Sequence, residues 1–195
     1  MTALLLDRDG TLMEDVGYPN DPATVRLIPG AAAAICELHD RHGFRPVIVS
    51  NQSGVARGLI TLDQFRSVNE RFTELFRLES GLTIPAFYCL HGVEEGCACR
   101  KPKTDLLRQS VEVLGLSQSN ALMIGDKPSD VVAGVAFGAK TVWLSFCRKY
   151  PNNETRPDLI TVDWLQSDVV SMIAGIIDVP PAHRRGEVPA NRESP

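Results

Sequence analysis

Ala3-Leu4-Leu5-Leu6 is an apolar run that stops at Asp7. It is too short for a helix and lacks the polar alternation of a half-exposed strand. It therefore reads as a strand buried on both faces, the kind that parallel sheets contain. Such a strand needs a helical layer above and another below, and the chain supplies both. Val47–Val49, Ile84–Leu90, Ala121–Ile124, Thr141–Leu144 and Leu159–Val162 read as further strands. Between them, Ala31 to Leu38 closed by Gly43, then 61–79, 103–114 and the stretch from Pro128 to Gly138, read as helices, with a last one over 163–177. Thr61 and Gln64 have the spacing of a capping box at the start of the long second helix. The alternation predicts an α/β fold of three layers, helices on both faces of a mostly parallel sheet joined by right-handed crossovers. Residues 10–28, with Gly17, Pro19, Asn20, Asp21 and Pro22, read as a loop.

Length and composition restrict the setting. A chain of 195 residues with 44% apolar content suits one domain, expected over 1–178. Residues 179–195 carry prolines and charges without pattern and read as a disordered tail. The net charge of −4 argues against a nucleic-acid partner, which needs a basic face. No apolar run approaches the roughly 20 residues of a membrane span, and the N-terminus enters a strand with no basic leader. The expectation is a cytoplasmic protein with neither nucleic-acid nor membrane partner, a monomer being favoured.

In an open parallel sheet, ligands collect beyond the carboxyl ends of the strands. Asp7 and Asp9 follow the first strand, Ser50 the second and Asp126 the fourth, while Lys101 lies past the loop after the third. Taken singly, each has a plain structural reading. Asp-x-Asp-Gly-Thr is also an Asx turn, Ser50 a turn hydroxyl, Lys101 a surface charge and Asp126 a helix cap. Their common edge decides for a site. Three carboxylates, Asp7, Asp9 and Asp126, repel one another unless a cation lies between them, and hard oxygen donors suit Mg²⁺. Mg²⁺ with a lysine and a hydroxyl suits a phosphoryl group, whose transfer depends on positioning and charge neutralisation. Asp7 is placed to attack phosphorus. Asp9 is placed to carry the proton, its backbone carbonyl rather than its carboxylate meeting the metal. Asp130, one helical turn past Asp126, stays open between a solvated helix residue and a partner of the metal ligands.

Cys89-x-His91-x₅-Cys97-x-Cys99 is a second signature. Three thiolates and an imidazole match a closed, structural tetrahedral Zn²⁺ site. The odd total of five cysteines, without an export signal, favours metal over disulfides. Zinc there would fix the adjoining Arg100 and Lys101. Cys36 and Cys147 read as spare thiols.

The ordered set of Asp7-Arg8-Asp9-Gly10-Thr11, Ser50, Lys101 and Gly125-Asp126 with Asp130 resembles the haloacid dehalogenase-like phosphatase superfamily, over residues 3–145. The resemblance implies a Rossmann-like sheet and a phosphatase working through an aspartyl-phosphate. Residues 10–28 and 51–83 are too short for the large cap domain of many members, so a minimal cap is expected. The zinc loop and Asn51-Gln52-Ser53-Gly54-Val55-Ala56-Arg57-Gly58 narrow the resemblance to the branch of heptose bisphosphate and histidinol-phosphate phosphatases. Leu90 stands where that branch usually has proline, and the zinc loop is the short form also seen in histidinol phosphatases, yet all four ligands are kept. The resemblance implies Mg²⁺ on Asp7, Asp9 and Asp126, and Ser50 and Lys101 on the phosphoryl group. It places Asp15, Val16, Gly17, Tyr18, Asn51, Gln52, Ser53, Arg100 and Lys127 on the substrate. Arg57 either meets a second phosphate or balances nearby acids. The expected reaction removes the 7-phosphate of a heptose 1,7-bisphosphate, a small phosphorylated sugar. Histidinol phosphate is the alternative substrate. A non-catalytic zinc-stabilised binding module is the alternative class, and the intact acids count against it.

Overall fold

Leu4 and Leu6 pack into one hydrophobic layer while Ala3 and Leu5 pack into another, and all four are fully buried. That two-sided burial fixes the rest of the architecture. The structure, a computed structural model, describes residues 1–146, 148–151 and 155–178. Its strands are β1 (Thr2–Leu6), β2 (Phe44–Asn51), β3 (Ala86–Cys89), β4 (Ala121–Gly125), β5 (Lys140–Leu144) and β6 (Leu159–Thr161). Its helices are α1 (Ala31–His42), α2 (Leu62–Ser80), α3 (Asp105–Val113), α4 (Pro128–Phe137) and α5 (Val169–Asp178).

The six strands form one sheet in the order β3-β2-β1-β4-β5-β6, every pairing parallel. The expected α/β, Rossmann-like architecture is therefore present. The chain leaves β1 toward β2 and β3, then returns to place β4 on the other side. The switch falls between β1 and β4, where such sheets open a crevice at the carboxyl ends. Ile35, Leu38, Phe72, Phe76 and Ile173 fill the layer of α1, α2 and α5. Leu106, Leu107, Val111, Ala133 and Phe137 fill the layer of α3 and α4.

Local signals account for most boundaries. Thr61 Oγ1 accepts from the Gln64 amide and Gln64 Oε1 accepts from the Thr61 amide, so the capping box forms. Gly43, Gly81 and Gly138 end α1, α2 and α4 in the left-handed conformation. Three elements differ most from expectation, the third strand being confined to Ala86–Cys89 rather than Ile84–Leu90. The second strand is longer than Val47–Val49 and contains Ser50 and Asn51. The last helix starts at Val169, not at 163. Residues 163–168 serve another purpose: the Asp163 side chain accepts from the Leu165 amide at 2.8 Å, and the Trp164 indole donates to the Thr11 carbonyl at 2.7 Å. That bond ties the end of the sheet to the loop after β1. The expected tail, 179–195, and Cys147 lie outside the described residues.

Gly134 lets α4 approach the sheet. A Cβ there would lie 2.5 Å from Thr141 Cγ2 and 2.9 Å from Met123 Cβ. Gly134→Ala should destabilise the protein by about 1–3 kcal/mol through overpacking, despite a gain in helix propensity of about 1 kcal/mol. Chemical denaturation measures this, and a stabilised variant would contradict the packing account.

Candidate active site

The carboxyl ends of β1 and β4 bring three acids together. Asp7 follows β1 and Asp126 follows β4. Asp130 stands in the first turn of α4, its Oδ2 accepting from the Lys127 amide at 3.0 Å. One oxygen from each of Asp7, Asp126 and Asp130 lies within 4.8 Å of the others, and all three residues are buried. Asp130 is thus no solvated helix residue. Gly125 makes its approach possible, since a Cβ at 125 would fall 2.2 Å from Asp130 Oδ2.

Lys101 neutralises part of this charge. Its Nζ lies 3.0 Å from Asp7 Oδ1 and 2.7 Å from Asp130 Oδ1, and donates to the Val49 carbonyl at 2.7 Å. A buried ammonium so placed is held by partners on β1, β2 and α4. Asn51 sets the height of the lysine, because its amide donates to the Lys101 carbonyl at 2.9 Å and accepts from the Lys101 amide at 3.0 Å. Each polar atom of that side chain makes a bond to the Lys101 peptide, and the residue also lines the cleft where a substrate contact is expected.

The charges respond to this setting. Burial pushes Asp7 up, but Lys101 and Lys127 outweigh it and hold the carboxyl below its ordinary range. Burial raises Asp130 to about 6, against the pull of Lys101. Burial, with Asp7 nearby, also raises Asp126. Burial depresses Lys101, but Asp130 and Asp7 reverse the shift and raise it. Asp126 Oδ1 is a buried carboxylate oxygen with no hydrogen-bond partner among the described residues. Asp130 Oδ1 likewise has no hydrogen bond there, only its ion pair with Lys101, and hard oxygen donors, surplus negative charge and such unbonded oxygens fit a Mg²⁺ ion.

Asp9 is held apart from this cluster. Its carboxylate takes three hydrogen bonds from Arg8, at 2.9–3.1 Å, and one from Gln52 Nε2. Its side chain is therefore not one of the three clustered acids, and Asp130 occupies that place. Arg8 is completely buried, its guanidinium 6.0 Å from the Phe65 ring centroid and 5.7 Å from that of Tyr88, with a further bond to Asn69 on α2. Burial raises the Asp9 carboxyl, with Arg8 acting against the shift. Gln52 also donates to Ser50 Oγ at 3.1 Å, which links Asp9 to the hydroxyl on β2.

A cleft of about 350 Å³ opens over these groups. Asp9, Asp15, Gly17, Tyr18, Asn51, Gln52, Ser53, Arg100, Lys101 and Lys127 line it, joined by Gly54 and Ser129. Val16 points to solvent and is not among its lining residues. Arg57 lies at the rim, stacked 5.3 Å from the Tyr18 ring and bonded to its hydroxyl. Lys127 pairs with Asp15 at 2.9 Å. Two arginines escaped the sequence reading. Arg8 was embedded in the Asp-x-Asp motif itself. Arg148, whose Nη2 reaches Asp126 Oδ2 at 3.1 Å, sits just past the carboxyl end of β5. Position at the same sheet edge was the available signal for it.

Beside the cleft, the sulfurs of Cys89, Cys97 and Cys99 and Nδ1 of His91 approach one another at 3.2–3.7 Å. A tetrahedral zinc with ideal Zn–S bonds would set its sulfurs roughly 3.8 Å apart. Without a metal, burial pushes the Cys89 thiol up to about 12. The donor set therefore fits a closed zinc site. Arg100 and Lys101 follow directly in the chain, and Lys103 Nζ donates to the Cys97 carbonyl at 2.8 Å. Cys36 stands apart on α1, 3.4 Å from Asp40 Oδ2.

Residues 98–161 match a family model described as HAD-hydrolase-like. The chain is 38% identical to D-glycero-beta-D-manno-heptose-1,7-bisphosphate 7-phosphatase of Haemophilus influenzae, over 71% of this chain and 77% of that protein. It is 38% identical to the protein of the same name from Helicobacter pylori, over 68% and 76%. A crystal structure of D,D-heptose 1,7-bisphosphate phosphatase from B. bronchiseptica, complexed with magnesium and phosphate, superposes with a TM-score of 0.75. That alignment covers 90% of this chain and 99% of the other at 24% identity, and it speaks for a common fold.

Replacing Lys101 by Met leaves Asp7 and Asp130 buried without their cation. The metal-free variant should lose about 3–5 kcal/mol at neutral pH, the scale for a broken buried pair. Asp130 has a raised carboxyl, so its ionised form is the costly one in the fold. In the wild type Asp130 stands at about 6 even against the pull of Lys101, so without the lysine it takes up its proton at higher pH, and the deficit should narrow as pH falls from the alkaline side toward about 6. Urea denaturation across that window tests this, and a deficit independent of pH would contradict it.

Proposed function

The chain belongs to the D-glycero-D-manno-heptose-1,7-bisphosphate 7-phosphatase family of haloacid dehalogenase-like hydrolases, and from that premise we propose that it hydrolyses the 7-phosphate of such a bisphosphate with the help of Mg²⁺. The observation that carries the reading is the buried Asp7–Lys101–Asp130 arrangement beside Asp126, under a cleft whose walls include Arg100 and Lys127. A Mg²⁺ ion held by Asp7, Asp126 and the Asp9 carbonyl would supply charge neutralisation for the phosphoryl oxygens.

Asp7 is ionised near neutral pH and is the nucleophile. Its carboxylate attacks phosphorus, and the bond from phosphorus to the sugar oxygen breaks. Asp9 gives its proton to the departing alkoxide, a role that a raised carboxyl suits. Water then attacks the phosphorus of the aspartyl-phosphate and passes its proton to Asp9, which releases phosphate and restores both acids. Ser50 and Lys101 hold the phosphoryl oxygens. Asn51 acts by fixing Lys101, and Gln52 by joining Ser50 to Asp9. Arg100 and Lys127, on the outer wall, suit the second phosphate of a bisphosphate. Zn²⁺ on Cys89, His91, Cys97 and Cys99 would keep the loop that carries Arg100 and Lys101 in register. The clustered free thiols suit a reducing, cytoplasmic setting.

A phosphate-release comparison of the two heptose 1,7-bisphosphate anomers, histidinol phosphate and fructose 1,6-bisphosphate tests the substrate. One heptose anomer should give the highest kcat/KM, while a higher value for histidinol phosphate would overturn the assignment. Metal analysis of reduced protein should find one zinc per chain, lost when Cys97 and Cys99 are both replaced by Ser. Full retention of the thermal midpoint and activity in a zinc-free wild-type preparation would contradict the structural role of the metal.

A further inference from the structure

The Asp126 carboxylate is held at one oxygen and open at the other. Oδ2 accepts from Arg148 Nη2 at 3.1 Å, whereas Oδ1 is buried without a hydrogen-bond partner among the described residues. The same Nη2 meets the Asp126 backbone carbonyl at 3.2 Å, and the Trp143 indole donates to that carbonyl at 2.9 Å. Gly10 closes a further side, since a Cβ there would lie 2.5 Å from Asp126 Oδ2. The carboxylate is thus fixed in rotation as well as in place.

Arg148 reaches this spot from beyond β5, along the wall of a second cavity of about 480 Å³. Its backbone amide donates to the Ser145 carbonyl at 2.7 Å and its Nε to the same oxygen at 3.2 Å. The amides of Ser145 and Phe146 in turn donate to the carbonyls of Thr161 and Val162, which anchors the segment to the end of β6. The Arg148 side chain is itself 52% exposed, so the fold does not depend on its burial.

We propose that Arg148 is a positioning residue that sets the metal preference of the site by confining Asp126 to a single-oxygen ligand. This rests on the Mg²⁺ reading above. Mg²⁺ takes single oxygens in a strict octahedron and keeps several waters, whereas Ca²⁺ accepts six to eight ligands and readily takes both oxygens of a carboxylate. With Oδ2 engaged by Arg148, Asp126 presents Oδ1 alone, the arrangement that suits Mg²⁺. Freeing Oδ2 opens the two-oxygen mode and favours Ca²⁺.

Charge and geometry are separable here. Removing the guanidinium deletes one positive charge near the ion, which strengthens binding of both dications by a similar factor. Only the change in denticity acts on one ion more than the other. The ratio of the two dissociation constants therefore reports the geometry.

The test is calorimetric titration of Mg²⁺ and of Ca²⁺ into the full-length protein without substrate, for the wild type, Arg148→Met and Arg148→Lys, with thermal melting as the check on folding. The wild type should favour Mg²⁺. In Arg148→Met the ratio should move toward Ca²⁺ by roughly tenfold, the effect of one charge-assisted hydrogen bond. Arg148→Lys, which keeps the charge and one donor, should move it less. Equal factors for both ions, or an unchanged ratio in Arg148→Met, would overturn the proposal while leaving the Mg²⁺ site intact. A wild type that binds no Mg²⁺ would overturn the metal reading itself and the proposal with it.

Discussion

One buried ammonium, Lys101 Nζ, holds together elements that are remote in sequence. It joins Asp7 at the end of β1, Asp130 at the start of α4 and the Val49 carbonyl on β2. Burying a charge is costly unless partners replace its water, and here two carboxylates and a carbonyl do so. The same requirement explains Asn51, which clamps the Lys101 peptide from both sides, and the loop of Cys89 to Cys99 that delivers the lysine. Without the lysine the carboxyl ends of β1 and β4 would carry three acids and too little positive charge.

Not all of that charge is balanced internally. Lys101 serves Asp7 and Asp130, Arg148 serves one oxygen of Asp126, and Arg8 serves Asp9. Among the described residues, two buried carboxylate oxygens are left without a hydrogen bond, Asp130 Oδ1, which keeps its ion pair with Lys101, and Asp126 Oδ1. The protein cations thereby divide the acids into groups. Asp9, tied to Arg8 and Gln52, is kept out of the cluster and carries a raised carboxyl suited to proton transfer. Asp7, beside Lys101, is kept ionised and suited to attack. Two acids one residue apart have carboxyls shifted in opposite directions, because burial outweighs Arg8 at Asp9 while Lys101 and Lys127 outweigh burial at Asp7.

Much of this was legible in the sequence because it follows from periodicity and edge position. The apolar run at Leu4–Leu6, the capping box at Thr61 and the closing glycines depend on local chemistry, and the structure bears them out. Residues at strand ends, Asp7, Ser50 and Asp126, fell together for the same reason. Other features depend on distant partners that no local pattern reveals. Asp130 has the spacing of an ordinary helix residue, and only the bare backbone of Gly125 lets it turn inward. Asn51 sits beside a strand end like a ligand-binding residue, but its partner is a peptide fifty positions away. Arg8 is a charge at the edge of an apolar strand, and its burial depends on Phe65, Asn69 and Tyr88 from α2 and β3.

The proposed chemistry requires two displacements at phosphorus, first by Asp7 and then by water. Each in-line displacement inverts the phosphorus centre, so the pair must return it to its starting configuration. The direct measurement is the stereochemical course of hydrolysis with a chiral, oxygen-isotope-labelled phosphorothioate analogue of the substrate. Net retention is the result expected if Asp7 is the nucleophile. Net inversion would mean that water attacks the substrate in a single step, and the division of roles between Asp7 and Asp9 would be wrong.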